Sequence, residues 1–397
     1  MRQDCRGCGG RALEIVFDFG LMPLAGAFLS GTAAITREQQ FPLTVHVCRD
    51  CALVQILDPI DPDVLFRDYA FSSSTVGPLL QHFDAYAQWL VDRYAAARVI
   101  EFGCNDGILL APLKARGVTT VGVDISENIT AMARDKGLDV VTGYFNDATA
   151  RAIASRIGPA DIVTGSNAFA HNDRPDIILE AAAAALAEDG RLCLEVMYAG
   201  DLLEQLQWDT LYHEHLSFYS LSSLRTLLNR HGFEVEYAER VPMHGGSLRL
   251  SARRGKVQPH SSVEDLLAYE RSTGIDRAQT WIDFGTRIAR KIEVVKRVFA
   301  WLGRHQRIWG YGAAGKATMW VNACGMDYLE GMVDASPLRA GKLMPGTHTP
   351  ILFPAEFQKA NPDYVFITAW NYAGVITAKE GWYQGVWAVP LPDLRFF

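Results

Sequence analysis

The sequence predicts an α/β protein in three parts: a small cysteine-clasped module followed by two Rossmann-like units in which strands and helices alternate. Three observations predict it. Two Cys-x-x-Cys pairs, Cys5/Cys8 and Cys48/Cys51, fall within the first 51 residues. From about residue 97 apolar strands alternate with helical stretches, and the first strand runs into Glu101-Phe-Gly103-Cys-Asn105-Asp-Gly107. Towards the C-terminus another strand, Arg307-Ile-Trp-Gly-Tyr, enters Gly310-x-Gly312-x-x-Gly315.

The 397 residues carry 38 basic and 45 acidic side chains, a formal charge of −7. With 49% apolar and 21% charged residues, there is material for large cores. An acidic chain without a basic block argues against nucleic acid or an anionic membrane as partner. No apolar run reaches the ~18 residues of a spanning helix. The polar start, Met-Arg-Gln-Asp-Cys, lacks the apolar stretch of a signal peptide. The expectation is a reducing, cytoplasmic setting. With no coiled-coil run, the expected state is a monomer.

In the first part, two residues between thiols let a tight turn aim both sulfurs at one ion. Two such knuckles, Cys5/Cys8 and Cys48/Cys51, complete a closed tetrahedral cage for structural zinc. Redox-active pairs are the alternative; two pairs, each near a turn, favour a metal. The long gap between pairs is tolerable because loop-closure entropy grows slowly with length. Residues 1–58 are expected to form a module stabilised by that metal.

The middle part reads as a parallel, doubly wound sheet. Strands are expected at Arg98–Phe102, at 118–123, at Asp161–Asn167 and at 191–196, with helices near 108, at 126–136 and at 177–187. A helix at Leu221–His231 closed by Gly232, then strands from Phe233 and Gly245, suit an antiparallel edge. Asp124 stands twenty-one residues beyond Gly103, at a strand end where a carboxylate can accept both ribose hydroxyls of an adenosine. Glu101, Gly103, Asn105, Gly107 and Asp124, with Asn167 and Ala168 at the end of the next strand, look like an S-adenosylmethionine (SAM) site. Any nucleotide-binding α/β sheet is the blander alternative.

Tyr212-His213-Glu214-His215 is not a core pattern. A solvated loop is one reading. Metal binding is disfavoured, since adjacent residues splay apart. A general base is the sharper reading, because histidine with a pKa of about 6.5 can take a proton at neutral pH.

Residues 261–304 read as amphipathic helix broken at Gly274. The glycine loop after Arg307 leads into a helix from Lys316, and Asp334 follows nineteen residues after Gly315. The pattern is a dinucleotide fingerprint, but glycines before a helix N-terminus receive any diphosphate, and Lys316 adds a cation. NAD and a nucleotide diphosphate both fit. Lys342 and the following Pro345-Gly-Thr form a second loop, which either meets the same phosphates or is a surface turn.

Taken in order, the paired Cys-x-x-Cys, Glu-Phe-Gly-Cys-Asn-Asp-Gly, Tyr-His-Glu-His-Leu and Gly-Tyr-Gly-Ala-Ala-Gly-Lys give a chain that resembles, over almost its whole length, the sugar C-methyltransferases of deoxysugar biosynthesis. That group includes the nucleotide-linked 4-keto-sugar 3-C-methyltransferases. The resemblance implies a zinc module at 1–58, a linker and SAM-dependent methyltransferase domain at 59–255, and a helical connector and nucleotide-sugar-binding domain at 256–397. It implies that His215 is the base, that Tyr212 and Glu214 orient it or hold substrate, and that His171 and the linker's Tyr69 reach the sugar. It assigns Gly310, Gly312, Gly315, Lys316, Asp334 and Lys342 to the nucleotide-diphosphate end of the substrate. His213 reads as structural. The family's tyrosine-rich linker is represented here by Arg67-Asp-Tyr-Ala-Phe, which leaves open how many tyrosines reach the sugar. Two rivals remain: an NAD-dependent oxidoreductase of a nucleotide sugar, disfavoured because no hydride-transfer constellation stands out, and a non-catalytic nucleotide-sugar-binding protein, disfavoured because His215 is present.

Overall fold

The computed structural model describes residues 2–397, arranged around three sheets. The first is antiparallel and begins with β1 (Leu13–Pro23), β2 (Gln40–Cys48) and β3 (Val54–Ile56). The alternation Leu43, Val45, Val47 turns one face of β2 inward, and all three are fully buried. Cys5 and Cys8 precede β1, while Cys48 and Cys51 flank the turn from β2 to β3.

A linker with a short helix at Pro62–Phe66 leads to a longer helix at Gly77–Tyr94. The longer helix buries Leu79, Phe83, Tyr86, Ala87 and Leu90, the stripe expected of period 3.6. The second sheet then uses β4 (Arg98–Phe102), β5 (Thr119–Asp124), β6 (Val140–Thr142), β7 (Ala160–Ser166) and β8 (Leu186–Met197). Next, β9 (Ser217–Phe218) leaves this sheet and pairs with β3 as the fourth strand of the first. β10 (Phe233–Val241) and β11 (Ser247–Arg254) complete the second sheet in the order β10-β11-β8-β7-β4-β5-β6. β8 to β6 run parallel, and β11 is antiparallel to both its neighbours. The antiparallel edge agrees with the sequence reading. The three-residue β6 was not expected, and the first helix after β4 begins at Leu110 rather than Ile108, because residues 105–109 are spent in turns.

Helices at Ser261–Thr273 and Ala278–Leu302 are separated by Gly274, left-handed at φ 74°. The third sheet contains β12 (Ile308–Tyr311), β13 (Gly331–Val333), β14 (Ile351–Leu352), β15 (Tyr364–Ile367), β16 (Val386–Val389) and β17 (Arg395–Phe396), in the order β14-β13-β12-β15-β16-β17. All pairs are parallel except β16–β17.

In both parallel sheets the strand order reverses beside the first strand: β4 lies between β5 and β7, and β12 between β13 and β15. Such a switch opens a crevice at the strands' carboxyl ends, where ligands of open α/β sheets bind. The first and third sheets share one core, in which Val45 and Ile56 join Trp281, Phe299, Trp320 and Phe366. The long helix lies so close to β1 that a methyl group on Gly285 would collide with the Val16 carbonyl. Among the described residues, no helix is long and apolar enough to cross a membrane.

Candidate active site and zinc cage

The four sulfurs of Cys5, Cys8, Cys48 and Cys51 lie within 4.8 Å of one another. Cys5 and Cys51 are 3.6 Å apart, and Cys8 and Cys48 3.5 Å. Four thiolates at the ~2.3 Å zinc–sulfur distance would stand about 3.8 Å apart, so the cage fits the ion. The N–H groups of Gly7 and Gly10 donate to Cys5 and Cys8 Sγ at 3.3 Å, and Gln55 Nε2 to Cys5 Sγ at 3.2 Å. Such donors stabilise thiolates and leave four ligands with no open position.

The second crevice is built from the loop after β4. Gly103 takes φ 65°, and a side chain there would run into the methyl group of Ala168. Close approach of this loop to the end of β7 therefore requires glycine. Asp124, closing β5, accepts the Ser126 N–H at Oδ1 (2.9 Å) and the Asn105 N–H at Oδ2 (3.0 Å), which fixes the carboxylate at the rim. Glu101 is buried, and its Oε2 has no hydrogen-bond partner among the described residues. Burial first, and then Asp124 and Asp106, hold its carboxyl well above the ordinary range. An orphaned carboxylate oxygen at this point suits a ligand's ammonium group. Asn105 departs from expectation. Its Oδ1 accepts the Ser73 N–H at 2.9 Å and its Nδ2 donates to the Phe71 carbonyl at 3.1 Å, so the side chain holds the linker instead of facing the crevice. Asn167, at φ 54°, turns the chain from β7 toward His171.

His215 Nδ1 lies 2.7 Å from the Thr210 carbonyl. A carbonyl can only accept, so Nδ1 carries the proton and Nε2 keeps its lone pair. Burial, with His171 nearby, holds the pKa well below the ordinary value, and the imidazole is neutral at pH 7. The His171 ring stands 4.9 Å away at 88°, and Tyr212 lies 4.2 Å away on the other side. Burial lowers His171 to about 4. Glu214, 5% exposed, accepts the Tyr69 hydroxyl at 3.2 Å, and burial raises its carboxyl to about 7. Tyr69 is clamped through its backbone by Asn128, at 3.1 and 2.9 Å. Burial holds the Tyr69 and Tyr212 phenols well above their ordinary value, so both remain donors. His213 points away and lies 3.3 and 3.2 Å from the carbonyls of Phe41 and Pro42, the structural role expected of it.

Tyr212 also touches the third sheet. A Cβ on Gly315 would lie 2.9 Å from Tyr212 Cζ, so only glycine leaves room for the ring. Gly312, at φ 97°, is pressed against Ala369. Gly310 is bare because Met332 occupies the space beside β12, a packing role. Lys316 opens the helix Gly315–Ala323, its Nζ 4.6 Å over the Trp370 ring with no hydrogen-bond partner among the described residues. Burial lowers its pKa and Asp209 partly restores it. Asp209 is held by the indoles of Trp320 and Trp370, at 2.9 and 2.8 Å. Asp334 accepts the Ser336 N–H (2.8 Å) and Arg339 (3.1 Å) at Oδ1. The Lys342 loop is fixed on two sides: Leu343 bridges to Leu29 and Glu38 accepts the Gly346 N–H at 2.7 Å and lies 2.7 Å from His348 Nε2, while the Pro345 carbonyl accepts Asn322 Nδ2, from the helix that Lys316 opens, at 3.0 Å. It is not a free surface turn, and it packs on the helix that Lys316 opens.

An unbroken series of contacts thus runs from Gly103 through Ala168, His171, His215 and Tyr212 to Gly315, from one crevice to the other. Sequence reasoning missed His244, half-buried near His215 and lowered to about 4 by desolvation and Lys316. It missed His82 as well, whose Nε2 lies 2.6 Å from the buried Glu195, itself paired to Arg249 at 2.9 Å. His244 precedes Gly245-Gly246, a signal read only as a turn.

Three successive stretches of the chain match models of known families. Residues 5–66 match the family model described as "Putative zinc binding domain", 80–238 "Methyltransferase domain", and 242–392 "C-methyltransferase C-terminal domain". The C-methyltransferase NovU of Streptomyces niveus is 36% identical over 407 residues, covering 99% of this chain and 96% of that protein. A ubiquinone biosynthesis O-methyltransferase of Xanthomonas oryzae is 29% identical over 26% of this chain and 44% of its own length. Among solved structures, a magnesium protoporphyrin IX methyltransferase from Synechocystis aligns with 44% of this chain and 83% of its own at 21% identity and a TM-score of 0.36. On the full-length match and the three successive domain matches, the chain belongs to the C-methyltransferase family.

Proposed function

We propose that the protein is a SAM-dependent C-methyltransferase that deprotonates the carbon beside the ketone of a nucleotide-diphosphate 4-keto-deoxysugar and methylates it at C3. One observation carries the reading: His215 has its proton on Nδ1, bound to Thr210, and a free lone pair on Nε2, within a half-buried group that touches both glycine loops. A hydrogen beside a ketone is acidic enough for such a base because its anion delocalises onto oxygen. SAM, when bound, supplies a methyl group on a sulfonium sulfur.

The chain's own residues do the rest. Glu101 would receive the donor's ammonium group and Asp124 its ribose, while Gly103, Gly107, Asn167 and Ala168 shape the wall. Asn105 acts indirectly, by tying the linker to the loop. Tyr212, kept protonated by burial, would be the donor for the ketone oxygen as it gains charge, while Tyr69, whose one proton goes to Glu214, would shape the sugar site beside it. Gly312, Gly315, Lys316 and the helix N-terminus would take the diphosphate, with Asp334 at the nucleotide ribose. Remote binding energy of this kind positions the reacting carbon. The cysteine cage would hold zinc, which has a structural role. The division 1–58, 59–255 and 256–397 belongs to the same reading, as does a monomer, since both crevices come from one chain. A reducing, cytoplasmic setting is supported by the three cysteines outside the cage, Cys104, Cys193 and Cys324, all buried and free of disulfide bonds.

The test is mass spectrometry of products from a panel of dTDP- and GDP-linked 4-keto-deoxysugars with methyl-labelled SAM. Label on carbon in one of them is expected. Binding of SAM with no label reaching any keto-sugar would overturn the reading.

A further inference from the structure

Arg6 lies inside the first metal knuckle, between Cys5 and Cys8, yet its side chain has no exposure to solvent. A buried guanidinium persists only where its donors are met. Nη2 and Nε donate to Asp173 Oδ1, at 2.7 and 3.2 Å. Nη1 donates to the Ile56 carbonyl at 2.6 Å and to the Leu216 carbonyl at 3.4 Å. Asp173 is two residues past His171, and Leu216 is the next residue after His215. One guanidinium therefore grips both segments that carry the paired imidazoles.

The two segments also meet directly through the Leu216 N–H and the Ala170 carbonyl at 2.9 Å, so Arg6 closes a loop of hydrogen bonds behind the histidines. Arg2 adds a second hold on the Asp173 carbonyl at 2.7 Å. On the metal side, the Arg6 N–H donates to Gln55 Oε1 at 3.1 Å, and Gln55 Nε2 donates to Cys5 Sγ at 3.2 Å. The histidine rings have few anchors of their own. His215 is held by one bond to Thr210, and His171 Nδ1 has none among the described residues. Their separation therefore follows the backbone, which the Leu216–Ala170 bond, the Ile56 N–H on the Leu216 carbonyl at 3.1 Å and Arg6 hold together.

We propose that Arg6 is a positioning residue: through Asp173 and the Leu216 carbonyl it sets the distance and angle between His171 and His215, which makes the zinc module part of the catalytic geometry. This rests on the functional reading above for its kinetic consequence, not for its structural one. A displacement near 1 Å at a reacting group costs about 100-fold in rate. The forked contact to two separate segments needs a guanidinium, which a lysine ammonium cannot replace.

The experiment uses full-length, zinc-loaded protein with Arg6→Lys and, on the partly exposed partner, Asp173→Ala. Two readouts are taken: kcat and KM with the keto-sugar accepted by the wild type, and the imidazole nitrogen NMR signals of His171 and His215. Expected are an about 10- to 100-fold loss in kcat, donor affinity within about twofold of wild type, and displaced signals for both histidines. A side chain that merely glued the module on would lower Tm or zinc content and leave kcat per zinc-loaded chain unchanged. That result, or unmoved histidine signals in both variants, overturns the proposal. If Arg6→Lys fails to fold, Asp173→Ala decides alone. If the wild type transfers no methyl group, the functional reading fails, and the NMR signals still judge the positioning claim.

Discussion

Glu214 is held in its neutral form by burial, and that costs the folded protein stability at alkaline pH. Its carboxyl rises from 4.5 to about 7 on folding. Between those values the unfolded chain releases a proton that the folded chain keeps, so stability falls as pH rises through this window. Two and a half units at 1.36 kcal/mol each give about 3 kcal/mol, absent below 4.5 and fully present above 7. Glu214→Gln preserves the shape and an acceptor for the Tyr69 hydroxyl, but cannot ionise. Whatever constant offset the amide brings, the stability difference between variant and wild type should shift in the variant's favour by about 2.5 kcal/mol between about pH 5 and about pH 8.5. Thermal melts of the ligand-free proteins at both pH values read this as a gap in Tm that opens only on the alkaline side. The variant should also lose turnover, since a strained active-site group is given up for stability. A gap of the same size at both pH values would refute the reasoning, because folded Glu214 would then ionise as it does in the unfolded chain.

Three further outcomes follow. His215→Asn should lower kcat/KM by about 10²–10⁴, the usual worth of a general base, while SAM affinity measured by calorimetry stays put; full turnover would remove His215 from the base role. Gly315→Ala should displace the Tyr212 ring, because its Cβ would stand 2.9 Å from Cζ. An about 10- to 100-fold fall in kcat is expected, whereas a rise in KM alone would mean that the loop serves only the diphosphate. Chelation, or Cys51→Ser, should release one zinc per chain by elemental analysis and lower Tm together. A metal-free protein that melts like the wild type would contradict the structural role.

Much of this was legible in the sequence where the signal is local. Cys-x-x-Cys spacing brings two sulfurs together within one turn, and two such turns give the cage. Short apolar runs that lead into glycine mark β4 and β12, and Asp124 follows because the next strand must lie beside the first. Where the signal was not local, sequence was silent. The edge strand β6 has three residues, too few for a period to register. β9 has two, and its partner β3 lies far back in the chain, at Val54–Ile56. Asn105 was read as facing the ligand because of its place in the loop, but its side-chain partners, Ser73 and Phe71, come from a linker with no strong pattern. Lys316 was expected at a phosphate, and its position over Trp370 within reach of Asp209 depends on how the third sheet docks.

The crossing of β9 into the first sheet sets an order of assembly during synthesis. The four thiols leave the ribosome first, but their sheet lacks its last strand until residue 218 arrives and its inner wall until the helix at 278–302 is made. Through that interval, metal capture is the available early clasp. A fragment ending before residue 217 would emerge with an unpaired edge and an uncovered apolar face, so the amino-terminal portion should be soluble only when expressed with everything downstream.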